Sequence, residues 1–75
     1  MPRLPRITAK RLVRALKRLG FEQVRQRGSH LTLYNPRSDR VVTVPMHAGK
    51  TLHPDTLNSI LKQAGITVEK LQDYL

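Results

Sequence analysis

The chain has 75 residues, no cysteine, and fourteen Lys and Arg against five Asp and Glu, a net charge of +9. A core of this size supplies only a few kcal/mol and leaves no room for a separate cofactor domain. Without cysteine there are no disulfides or thiolate metal sites, and a reducing compartment is permitted. The charge suits a polyanionic partner; nucleic acid fits better than a membrane surface, because lipid-binding helices carry bulky aromatics and this chain has one Phe and two Tyr.

The N-terminal Met1-Pro2-Arg3-Leu4-Pro5-Arg6 lacks the apolar run of a secretion signal, and no stretch reaches membrane-spanning length. Residues 1–75 therefore read as one soluble domain. Thr8 is placed to cap a helix over Ala9–Leu19 that stops at Gly20. Ala9, Leu12, Val13, Leu16 and Leu19 follow the spacing of one buried stripe. Lys10, Arg11, Arg14, Lys17 and Arg18 fall within roughly 120° of each other on the opposite side. Such a face can simply be solvated. Yet the like charges at i, i+4 repel with no acid to offset them, which favours phosphate contact.

Phe21 to Arg27 reads as a first strand, with Phe21 and Val24 as its core contacts. The central strand runs from His30 to Asn35. Leu31 and Leu33 alternate with Thr32 and Tyr34, so His30 shares a polar face with Thr32 and Tyr34. Between the two strands, Gly28 and Ser29 break the pattern, and Gly28 can take a positive φ or admit a close approach. Asn35-Pro36-Arg37-Ser38-Asp39 is a turn cluster, and Arg40–Val44 is a β-branched third strand closed by Pro45. Short connections make an antiparallel meander the economical topology.

Residues 46–53 form a loop holding Gly49, Lys50 and two histidines. Pro54 opens a second helix, with Asp55 in its first turn and Leu57, Ile60, Leu61 and Ala64 on its buried stripe. It stops at Gly65, and Thr67 caps a short last helix through Val68, Leu71 and Leu75. The order predicts an α+β fold: one three-stranded antiparallel sheet with helices covering a single face.

The chemistry available to such a chain is narrow. His30, His47 and His53 have no helical metal spacing and few carboxylates nearby, so neither a metal nor another cofactor is expected. Asp39 and Asp55 have sufficient structural roles at a turn and a helix start. A histidine with cations is enough for RNA cleavage by the substrate's own 2′-hydroxyl: the imidazole moves the proton and the cations stabilise charge developing on phosphate. His30 fits this role best, beside Arg25 and Arg27 and the open backbone of Gly28 and Ser29. The plainer reading is a tight turn with a surface histidine. His47 is a second candidate for proton transfer or a loop residue, and His53 is an N-cap or surface residue. Lys10, Arg14 and Lys17, with Arg25, Arg27, Gly28 and Ser29, are the expected RNA contacts. A non-catalytic module reading duplex 2′-hydroxyls and phosphates is the alternative. A DNA reader fits less well, because five cations on one face read phosphates only.

Ile7 to Gly20, Gly20-Phe21, Arg27-Gly28-Ser29-His30, Val44-Pro45-x-His47 and Thr56-Leu57-x-x-Ile60-Leu61-Lys62-x-Ala64-Gly65 together resemble the HicA family of prokaryotic toxins. The resemblance runs over nearly the whole chain in order. It implies a double-stranded-RNA-binding-domain-like fold, α-β-β-β-α, and a cytoplasmic toxin ribonuclease that cuts mRNA and arrests translation. It also implies a HicB-type antitoxin as protein partner, and His30, the histidine of the Gly-Ser-His motif, as the catalytic residue. One departure is Asp55, where the family usually has Gly; it adds an anion near the start of the second helix.

Overall fold

The computed structural model describes residues 3–75. Met1 and Pro2, the first part of the stretch read for a leader, lie outside the described residues. The elements in order are α1 (Ala9–Arg18), β1 (Glu22–Arg27), β2 (His30–Asn35), β3 (Arg40–Pro45), α2 (Pro54–Ala64) and α3 (Val68–Asp73). Among the described residues, no helix is long and apolar enough to cross a membrane.

Each helix starts where its capping chemistry sits. The Thr8 and Thr67 hydroxyls accept the amides of Arg11 and Lys70, and His53 Nδ1 accepts the amide of Asp55 at the head of α2. These bonds satisfy amides that no helical carbonyl can reach. Gly65 ends α2 in the left-handed conformation at φ 70. At the end of α1, Leu19 closes the last turn with φ −85, and Gly20 follows at φ 104.

The strands form a sheet in the order β1-β2-β3, antiparallel throughout. β2 is central and alternates as expected: Leu31 and Leu33 are buried and Leu33 is fully so. Opposite them on β3 are Val44 and Val42, both at 0% exposure. α1 and α2 cover this apolar face, bringing Leu12, Leu16, Leu57 and Ile60 into the same core. Ala15, outside the expected stripe, is also buried, which widens the packed side of α1. Leu71 of α3 completes the core. Fully burying a Val or Leu side chain contributes about 1.5–3 kcal/mol, so the two leucines and two valines of the sheet anchor the fold.

Val24 departs from expectation. It is 56% exposed, and every residue of β1 is exposed. The cause is coverage: β1 is an edge strand beyond the reach of the helices, which pack on β3. Val24 follows Gln23, the partner of Leu33 on the covered face, so alternation already turns it outward. The register shifts between Gln23 and Arg25, leaving Val24 as the extra residue of a β-bulge. Phe21, just before the strand, does enter the core.

Candidate functional site

The bulge decides which side chains His30 meets. Directly paired residues of antiparallel strands project to the same face, with Cβ atoms about 4.5–5.5 Å apart. Glu22 pairs with Tyr34 and Gln23 with Leu33. Strict alternation from there would send Val24 to the outer face and Arg25 and Arg27 toward the helices. The extra residue resets the count, because a one-residue slip exchanges the faces of everything that follows. Arg25 therefore pairs with Thr32 and Arg27 with His30. Both guanidiniums join His30 on the outer, helix-free face.

His30 lies at the start of β2 and is exposed. The turn before it is two residues long. Gly28 has φ 54, whereas Ser29 stays at negative φ, the sign pattern of a type II′ hairpin turn, which favours Gly at its first position. On the other side, His30 pairs with Pro45, and the Met46 amide donates to the Ser29 carbonyl. The turn is thus fastened to the loop after β3 and His30 is held between two strands.

That loop carries His47, which is exposed and borders two clefts. One, of about 590 Å³, lies between Thr8–Lys10 and Met46–Gly49. The other, of about 400 Å³, is lined by His47, Lys50, His53 and Thr56 among others. His53 has the capping role foreseen for it. Its Nδ1 accepts the Asp55 amide at 3.1 Å and stands 3.8 Å from the Asp55 carboxylate. The anion added at Asp55 thereby lies beside His53.

The cations of α1 lie elsewhere. Lys10, Arg14 and Lys17 are exposed on a helix packed against the opposite face of the sheet from His30. Lys10, beside the cleft with His47, is at the His30 end of the sheet. α1 finishes at the other end, where Asn35 Nδ2 donates to the Leu19 carbonyl. The structure thus joins Arg25, Arg27, Gly28, Ser29 and His30 in one place, and sets Lys10, Arg14 and Lys17 around the side of the domain. The first turn of α1 holds no acid, so Lys10 and Arg11 work against the helix dipole as well as each other.

Three arrangements escaped the sequence. The Tyr34 hydroxyl donates to Asp39 Oδ1 at 2.8 Å, and Asp39 holds φ 55, a left-handed conformation that Asp tolerates better than most residues. This bond, with a smaller contribution from burial, raises the Tyr34 pKa above its ordinary 10.0. Arg40 donates to the carbonyls of Lys62 and Gln63 and so completes the C-terminus of α2. Arg18 donates to the Tyr74 carbonyl at 3.0 Å. Only the Tyr34–Asp39 pair had a signal, a tyrosine on the polar face of a strand followed by a turn acid.

An exposed imidazole with two arginines on the same face of the sheet can exchange a proton and attract a phosphate at the same place. Among the described residues, no three His, Cys, Asp or Glu side chains gather as a metal site would require. No curated protein matches the chain. A model of the HicA toxin of bacterial toxin–antitoxin systems does match it, over residues 9–66. That span runs from the first residue of α1, through the bulged strand and the His30 turn, to just past the glycine that ends α2; by it, the chain belongs to the HicA toxin family.

Proposed function

We propose that this toxin is an endoribonuclease that cleaves mRNA through His30 and thereby arrests translation in the prokaryotic cytoplasm. The observation that carries the reading is the bulge at Val24, which turns Arg25 and Arg27 onto the face of His30. In the proposed reaction the 2′-hydroxyl oxygen of the RNA attacks the adjacent phosphorus and the bond to the 5′-oxygen breaks. His30 either takes the proton from the 2′-hydroxyl or gives one to the leaving 5′-oxygen, and solvent water exchanges the other proton. Arg25 and Arg27 stabilise the negative charge that grows on the phosphate oxygens. The open Gly28-Ser29 turn, with space around Gly28, lets the RNA backbone come close. The nucleophile belongs to the substrate, so a domain of this size has only to position and polarise. Lys10, Arg14 and Lys17 hold further phosphates along the side of the domain.

A protein with this activity must be silenced in its own cell. A HicB-type antitoxin, acidic where it meets Arg25, Arg27 and His30, is the proposed partner. The experiment is to mix the pure protein with mRNA in chelator and examine fragment length and ends. Shorter fragments ending in 2′,3′-cyclic phosphate or 3′-phosphate support the reading. Tight binding with no shortening contradicts it and favours the non-catalytic RNA-binding module.

A further inference from the structure

The outer face of the sheet changes character along β2. At one end stand His30, Arg27 and Arg25; at the other, Tyr34 pairs with Val41 on β3 and Glu22 on β1. Val41 is 53% exposed, one of two large apolar side chains left open among the described residues. Tyr34 is half-buried and its ring is held from the rim by the hydroxyl bond to Asp39. It is the single aromatic on this face: Phe21 is in the core, and the Tyr74 ring lies under Lys70 Nζ at 5.4 Å.

We infer that Tyr34, flanked by Val41, is a stacking platform for one unpaired base of the RNA whose phosphate lies at His30; this rests on the reading of RNA as the ligand. Charge weights the two ends. Glu22 pairs directly with Tyr34 and Asp39 accepts a hydrogen bond from its hydroxyl, while Arg18 and Arg37 stand round the rim in the cleft beside Glu22. At the His30 end Arg25 and Arg27 pair with Thr32 and His30, with no acid across from them, so the backbone is held there and a base lies at the Tyr34 end. A ring fixed by its own hydroxyl loses little freedom when a base stacks on it, which favours binding. Four strand residues span about 13 Å, so the stacked base is within about four nucleotides of the reacting phosphate even in a fully stacked strand. A duplex keeps its bases paired and offers no base face to the sheet, so this platform selects single-stranded substrate.

The test uses the His30→Ala protein, expected to hold RNA without consuming it, and a short single-stranded RNA with abasic nucleotides placed one at a time. One abasic position should weaken binding by about 5- to 150-fold, the range for losing one base–aromatic stack. In Tyr34→Leu the intact RNA should bind that much more weakly and the same abasic position should have no further effect. Tyr34→Phe keeps the ring and should keep most of the affinity. An abasic scan with no sensitive position, or one equally sensitive in Tyr34→Leu, overturns the proposal. So does a Tyr34→Leu protein that binds RNA normally but its antitoxin weakly, since the ring would then be a protein contact. Failure of the wild type to cleave RNA would remove the ribonuclease reading and leave this binding result standing on its own.

Discussion

If Arg25 and Arg27 hold phosphate beside His30, their loss must show in the salt dependence of binding. Both are exposed on an edge strand, so Arg25→Gln with Arg27→Gln should change stability by no more than about ±0.5 kcal/mol. Each phosphate contact with a single strand contributes about 0.7 to the slope of log affinity against log salt, about 1.4 for the pair. Between about 50 and 200 mM salt, the double variant should therefore lose about sevenfold less affinity than the wild type. Fluorescence anisotropy with a labelled single-stranded RNA, titrated at four salt concentrations in the His30→Ala background, measures both slopes. Arg40→Gln is the control: its guanidinium is spent on the carbonyls of Lys62 and Gln63, so it should lower the melting temperature and leave the slope alone. Equal slopes for the wild type and the Arg25, Arg27 double variant would refute the reasoning, whatever the change in affinity at any one salt concentration.

Replacing Lys10, Arg14 and Lys17 by Gln should lower the same slope by about 2 and leave the cleavage position where it is; a shifted cleavage pattern would mean that this face chooses the site. Asn35→Ala removes the partner of the Leu19 carbonyl and of the Arg37 amide in a side chain only 8% exposed. It should cost about 1–3 kcal/mol, lowering the melting temperature by at least about 4 °C with RNA affinity per folded molecule unchanged. The Tyr34 phenol, protonated in its bond to Asp39, should titrate above 10.0 by ultraviolet absorbance, and Asp39→Asn should bring it back down. The sign follows from linkage. A raised pKa means that the bond's contribution to stability is full below the ordinary tyrosine value and is lost as pH rises through the folded one.

The elements were legible because the chain's local signals agree with one another. Thr8 and Thr67 cap where they should, Leu31 and Leu33 alternate, and Pro54 and Gly65 bracket α2. The identity of His30 as an outward-facing residue followed from that alternation alone. What the sequence concealed is the bulge. Glu22–Arg27 is a run of polar residues broken by a lone valine, and it has no apolar period from which a skipped count could be noticed. Pairing with β2 sets its register, and that is a property of two strands rather than one. For the same reason Val24 looked like core: an isolated valine in a strand is buried only if something covers it, and the helices pack on β3, away from β1. Arg40 and Arg18 were equally hidden, since each completes a helix end distant in the chain.

The central claim is that His30 moves the proton and does little else. Its side chain stands on the open face of β2, away from Leu31 and Leu33, so His30→Ala opens no core cavity and should cost no more than about 0.5 kcal/mol. One positioned acid–base group contributes about 10²–10⁴-fold to rate. Single-turnover cleavage of a defined RNA by wild type and His30→Ala, at matched occupancy, is the direct measurement. A fall of that size with RNA affinity retained is the result predicted. Undiminished cleavage by His30→Ala would contradict the account and turn attention to His47.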